Sequence, residues 1–221
     1  MESTQMLDNK AAQAEFESAW NDARHTRAEL PPVDVNAVLA ERYEADGPVA
    51  LTADVLWDME VRKAGDPAAF IPYVVQAGSA AAWVPGRDGG ELGDVFVRRS
   101  AQRIWLRPDE YGLVLEEVYL DHQEKVVTFL GRAGFPAAPG GPLAAGTGQP
   151  LFHVQHGVAG TAGRPTNTWR IVLLTDEPDE RVVKVFEEMA AEVWLPGFVE
   201  NYVRDVLGVP LIRKPEPDPK Q

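Results

Sequence analysis

Residues 167–207 read NTWRIVLLTDEPDERVVKVFEEMAAEVWLPGFVENYVRDVL, and this stretch decides the fold. It opens on an apolar run of strand length, Trp169-Arg170-Ile171-Val172-Leu173-Leu174. An acidic turn follows at residues 175–180. From Glu180 to Leu207, the positions of Val182, Val185, Phe186, Met189, Val193, Tyr202, Val206 and Leu207 keep helical spacing on one apolar face. Pro196-Gly197 interrupts that face. A proline inside a helix removes a backbone hydrogen bond and kinks the helix, at a cost of about 3 kcal/mol or more. A strand feeding one long amphipathic helix gives a sheet something to fold around. The rest of the chain reads as that sheet and its covers.

Upstream of this stretch, residues 76–174 have the texture of strands joined by Gly-rich turns. Strands are expected at 80–84, 94–100, 103–106, 113–120, 125–130, 151–158 and 167–174, with a hairpin turn at 121–124. Residues 131–150, rich in Gly, Pro and Ala, read as a loop with no structure of its own, a lid or a disordered segment. Nearer the N-terminus, residues 49–52 are a short strand candidate and 54–61 suit either a strand or a helix. Asp66 caps a short helix with Pro67 at its first position.

The first 46 residues read as a helical extension. Ala12, Phe16 and Trp20 form a narrow stripe on a helix that runs to about Arg27, where Leu30-Pro31-Pro32 breaks it. Asp34 caps a second helix carrying Val35, Val38, Leu39 and Tyr43. Stripes this thin do not fold alone, so these helices pack on the main body or form a homodimer contact with a second copy. The expected organisation is an extension at 1–46, a main domain at 47–208 and a disordered, Pro-rich tail at 209–221.

Composition narrows the function classes. The 221 residues are 45% hydrophobic and 25% charged, ordinary for a globular protein. A formal net charge of −13 repels phosphate backbones and anionic membrane surfaces, so nucleic acid is not an expected partner. With no Cys there is no thiol catalysis, Fe–S cluster or disulfide, which fits a cytoplasmic location. The polar N-terminus has no secretory core, and no apolar run reaches the roughly 18 residues that span a membrane. No phosphate-binding loop or nucleophile-elbow motif occurs.

The order of elements, with the strand–helix pairing of residues 167–207, resembles the helix-grip fold of the START/Bet v 1-like superfamily. Asp54-Val55-Leu56-Trp57, Asp66-Pro67, Phe70-Ile71-Pro72-Tyr73 and the turn Gly89-Gly90-Glu91-Leu92-Gly93 carry the resemblance, which covers about residues 49–207. The N-terminal extension, the 131–150 loop and the prolyl kink depart from the family pattern. The resemblance implies an α+β fold: a curved antiparallel sheet wrapped around the long C-terminal helix, with an apolar cavity between them. It further implies a hydrophobic small-molecule ligand such as a lipid, sterol or polyketide, or a cofactor-independent cyclase or aromatase acting on one.

Strand alternation selects the side chains that face such a cavity. Glu116 shares a face with Val114, Val118 and Leu120, and His156 shares one with Phe152, Val154 and Val158. A carboxylate and an imidazole on apolar faces have shifted pKa values and suit acid–base work on a ketone or enol. Arg170 is the candidate for polarising a carbonyl, although a solvated or salt-bridged role suits it better. Expected ligand contacts are Tyr73, Trp83, Trp105, Phe129, Trp169, Trp194, Phe198 and Tyr202, with Tyr119 added if the pleat is reversed. His153-x-x-His156 does not make a metal site, because the two residues alternate to opposite faces of a strand. No cofactor is expected. Three readings follow: a cyclase, dehydratase or isomerase of a polyketide-like substrate, a non-catalytic binder or carrier of the same fold, or an interaction module using the N-terminal helices.

Overall fold

The computed structural model describes residues 6–47, 49–87, 89–146 and 148–215. In chain order the elements are α1 (Asn9–Asn21), β1 (Thr26–Asp34), α2 (Val35–Arg42), β2 (Tyr43–Ala45), α3 (Ala53–Gly65) and α4 (Pro67–Phe70). The strands β3 (Ala81–Trp83), β4 (Val95–Ile104), β5 (Arg107–Asp121), β6 (Val126–Gly131), β7 (Gly134–Phe135), β8 (Leu143–Ala144), β9 (Phe152–Thr161) and β10 (Arg164–Leu173) follow. The chain ends with α5 (Glu180–Ala190), α6 (Gly197–Asn201), a π-helical turn (Tyr202–Val206) and β11 (Leu211–Arg213).

Seven strands form one antiparallel sheet in the order β1-β10-β9-β6-β5-β4-β3. The sheet is covered on both faces. On one, Phe96, Val118, Phe129, Val154, Ile171 and Leu173 pack against Trp57 and Ala64 of α3 and Val182 and Phe186 of α5. On the other, Tyr119, Leu130 and Val172 pack against Ala12 and Phe16 of α1. A third apolar cluster joins α2, α3, α4 and α6 around Leu56, Met59, Phe198 and Tyr202. The fold is therefore α+β, a helix-grip arrangement with an additional helix on the outer face of the sheet.

The N-terminal expectation is corrected. Helix α1 begins as expected, with Asp8 Oδ1 accepting from the Ala11 amide at 2.7 Å, but it stops at Asn21. Thr26–Asp34 is a strand rather than the broken end of a helix, pairing with β10 from Thr26↔Leu173 to Asp34↔Thr166. Pro31-Pro32 sits at an irregularity between Leu30 and Val33 on this edge strand, where a missing N–H costs no ladder bond. A boundary at residue 46 would cut β1 from its own sheet. The α1 stripe expected to pack on the main body or on a second copy lies on this chain's own β5, β6 and β10.

Other expectations shift for equally local reasons. Residues 49–52 are not a strand: Thr52 caps α3 through its Oγ1, which accepts from the Val55 amide at 3.2 Å. The 131–150 loop carries the β7–β8 pair and a bridge between Leu113 and Gly146. Of the tail, Leu211–Arg213 pairs with Tyr43–Ala45, and residues 216–221 lie outside the described residues. The long C-terminal helix is in pieces. It is capped by Asp179 but ends at Ala190, and residues 191–196 are neither helix nor strand. Helix resumes only after Pro196, which cannot donate a helical hydrogen bond.

Candidate functional site

Helix α3 lays one side along the sheet, and that side is not wholly apolar. Glu60 and Lys63, three residues apart on α3, are 0% and 3% exposed. Lys63 Nζ lies 2.6 Å from Glu60 Oε2 and donates to His156 Nδ1 on β9 at 2.7 Å. The other Glu60 oxygen accepts from Asn167 Nδ2 of β10 at 2.8 Å. Since the ammonium donates to Nδ1, the neutral His156 ring carries its proton on Nε2. One helix and two neighbouring strands thus hold a buried Glu60–Lys63–His156 set.

A second buried pair adjoins it. Arg98 of β4 donates from Nε to Glu116 Oε2 on β5 at 2.7 Å, and from a terminal nitrogen to the carbonyl of Ala64 at 3.0 Å. The guanidinium so ties the strand pair to the last turn of α3, where helix carbonyls lack partners and favour a cation. Two carboxylates and two cations balance in this interior, as buried charge requires.

Aromatic rings close the set. Phe198 of α6 lies over Lys63, with its ring centre 3.7 Å from Nζ. His156 is flanked by Phe129 at 5.8 Å, Phe198 at 5.7 Å and Trp169 at 4.9 Å between ring centres. Trp169 in turn packs on Phe186 of α5. The indole Nε1–H of Trp169 is buried, and no described residue accepts its hydrogen bond. An unpaired buried donor costs about 1–3 kcal/mol; Asn9 Oδ1 and Glu60 Oε2 are the other buried polar atoms without a hydrogen bond among the described residues, Glu60 Oε2 being held by the Lys63 charge.

Burial governs the titration of these groups. Burial, with the Lys63 charge adding to it, lowers His156 to about 4 and keeps it neutral near pH 7. Burial also lowers Lys63, and Glu60 only partly opposes this. For Glu60 burial works against the charged form, but Lys63 and His156 outweigh it and the carboxyl is lowered.

The expected site residues separate by face. Glu116 and His156 both face the helices, but Glu116 is engaged by Arg98, which reaches the His156 region through the Lys63 and Ala64 carbonyls of α3 and by lying over Phe129. Arg170 points to the opposite face. There it donates to Glu17 Oε1 at 2.7 Å and Gln155 Oε1 at 3.2 Å and lies over the Trp20 ring. Tyr119 also faces α1, its hydroxyl donating to Glu117 at 2.8 Å, because the pleat is not reversed. Trp83 packs on Phe135, away from the buried set. Phe129, Trp169 and Phe198 surround the set, and beside it Trp105 meets Phe152 at a tilt and Phe186 edge-on. Tyr202 stacks on Phe70 and donates to Asp58 at 2.8 Å, Trp194 meets Tyr43 edge-on, and Tyr73 is 49% exposed against Gly197. His153 lies on the α1 side, opposite His156, and accepts from the Gly131 amide at 3.1 Å.

Sequence reasoning missed Glu60 and Lys63. Their signal was present: a Glu-x-x-Lys pair sharing its segment with Leu56, Trp57 and Met59. Reading residues 54–61 as either strand or helix hid the fact that both charges point inward.

The space expected to be an open cavity is occupied, around the buried set, by the contacts just described. A pocket of about 410 Å³ opens nearby between α3, α4, α6 and the π-helical turn, lined by Val61, Gly65, Phe70 and Asn201 among others. A larger groove of about 690 Å³ runs along the outer face beside α1, past Gln13, Thr128, Gln155 and Arg170. Among the described residues no helix is long and apolar enough to cross a membrane.

No protein-family model matches the chain, and no curated protein matches it. Solved structures of START/Bet v 1-like proteins are similar in fold. They include the Zhui aromatase/cyclase from Streptomyces sp. R1128, at 13% identity and TM-score 0.47, covering 82% of this chain and 94% of that one. A START superfamily protein from Mycobacterium smegmatis matches at 12% identity and TM-score 0.40, covering 76% and 95%. The ginseng major latex-like protein 151 from Panax ginseng matches at 15% identity and TM-score 0.42, covering 77% and 99%.

Proposed function

We propose that the chain binds a hydrophobic small molecule between the helix-bearing face of the sheet and α6, and carries out cofactor-independent proton transfer on it. The cyclisation, dehydration or isomerisation of a polyketide-like substrate is chemistry of this kind. The observation that carries this reading is the unclaimed Trp169 N–H beside the buried Glu60–Lys63–His156 set. A donor, a cation and a neutral imidazole converge inside aromatic walls, which suits a ligand that is apolar along its length and has an oxygen at one end. Lys63 supplies the acid, His156 the acceptor, and Glu60 holds Lys63 in place. Entry follows displacement of α6, which hangs on residues 191–196 and carries Phe198 as its inward wedge.

A binding-only role is favoured by a different observation: each buried charge described here already has a partner of opposite sign. One experiment separates the two. Native mass spectrometry of the purified chain identifies a co-purified hydrophobic ligand, and turnover and binding are then measured in Lys63→Met and His156→Gln. Binding retained with turnover lost in both variants supports the enzyme. A bound ligand that the wild-type chain leaves unchanged supports the carrier. No ligand, and no change in either variant, rejects the site.

A further inference from the structure

We infer that Lys63 captures the carbonyl group of an aldehyde or ketone ligand as an imine. This rests on the site proposed above and goes beyond it, because it names a covalent step and a substrate class.

A lysine that attacks a carbonyl needs a neutral amine, a nearby group to take its proton, and surroundings that keep water out. All three meet at Lys63. Its amine sits at the C-terminal end of α3 with its side chain turned inward, 3% exposed. His156 Nδ1 at 2.7 Å and Glu60 Oε2 at 2.6 Å are two acceptors within one proton transfer of Nζ. Phe198 covers the amine and excludes water. Burial makes the ammonium a better proton donor than an exposed lysine, so more neutral amine is present near neutral pH. The orphaned N–H belongs to Trp169, whose ring lies 4.9 Å from that of His156, and is free to donate to a ligand oxygen.

The step balances without any further reagent. The Lys63 ammonium passes a proton to His156 or Glu60, and the free amine adds to the carbonyl carbon to give a carbinolamine. That carbon–oxygen bond breaks as the oxygen takes up protons and leaves as water. The product is a protonated imine that keeps the single positive charge of the starting ammonium, with Glu60 still its counter-ion. Such an iminium draws electrons from the adjacent carbon, where His156 can remove a proton. Other buried groups do not offer this. Arg98 is a guanidinium held in an ion pair, and Glu200 is paired with Arg204 and Arg213.

The test uses benzylacetone, a hydrophobic ketone, with sodium borohydride added to reduce any imine. Intact mass and peptide mapping then locate the adduct. The expected result is one adduct per chain at Lys63, lost in Lys63→Arg and formed several-fold more slowly in Phe198→Ala, which admits water beside the amine. Phe198→Ala keeps the test valid if the Lys63 variant folds poorly. In parallel, binding of the alcohol counterpart of benzylacetone is followed by tryptophan fluorescence. Binding of the alcohol with no trapping of the ketone overturns the imine and leaves the ligand site standing. Absence of both overturns the ligand site as well. Adducts spread over Lys10, Lys125, Lys184 and Lys214 at the level of Lys63 also overturn the inference.

Discussion

His156 sits where three demands meet. Its strand presents it to an apolar face, Lys63 donates to its Nδ1, and aromatic rings enclose it. Burial followed by the Lys63 charge lowers it from 6.5 to about 4, and burial lowers His153 on the opposite face to about 4 as well. The sign of the pH effect follows from these directions. As pH falls below about 6.5 the unfolded chain takes up these protons and the folded chain does not, so stability is complete above that value and is lost toward pH 4. Glu60, lowered from 4.5, adds a further loss below that pH. Each histidine contributes up to about 1.4 kcal/mol per pH unit within its window. Urea unfolding from pH 7.5 to 4.5 should show this decline, and His156→Gln should flatten part of it. An unchanged slope in the variant would place the sensitivity elsewhere. At this scale the faces of Glu116 and His156 were legible from strand alternation, since β5 and β9 are regular through those positions. Arg170 was not, because β10 is apolar on both sides and nothing in the chain announces that α1 covers its second face.

Elements were legible where a cap or a hairpin marks them. Asp34 and Asp66 each accept from a backbone amide at the start of their helices, as their sequence settings suggested, and Asp179 does the same for α5 without having been marked. Reading failed at prolines. Pro31-Pro32 looks the same in sequence whether it ends a helix or bulges an edge strand, and only the pairing with β10 decides between them. Pro196-Gly197 was read as a kink, whereas six residues ahead of Gly197 leave the helix entirely. Gly197 itself is explained by a close approach. A Cβ there would lie 2.7 Å from the Tyr73 ring, so glycine lets α6 begin against that side chain. The consequence is coupling between the two positions. In a Tyr73→Ala background Gly197→Ala should be neutral or stabilising, by up to about 1 kcal/mol from helix propensity. With Tyr73 present the ring must move, and the same change should be less favourable by at least about 0.5 kcal/mol. Additive effects in the unfolding cycle would show that the contact does not restrain α6.

Across the whole molecule α1 covers one face of the sheet and α3 and α5 the other, so the strands near the centre are buried on both faces. That is why a pattern of strict apolar–polar alternation is weak in β5 and β9, and why the sheet was nonetheless recognisable from turn spacing and hairpins. The acidic excess of −13 is carried by the chain as a whole, while the interior beside α3 is charge-balanced by Glu60, Lys63, Arg98 and Glu116. The central claim is that a hydrophobic ligand reaches this inner side and not the groove under α1. The six tryptophan indole N–H signals report on both: Trp169 lies beside His156, and Trp20 stacks under Arg170 on the outer face. Two-dimensional NMR during titration with the alcohol counterpart of benzylacetone, with Trp169→Phe to assign the key signal, tests the claim directly. The Trp169 signal should shift while that of Trp20 stays in place. A shift of Trp20 alone, or no shift at Trp169 at saturation, contradicts it.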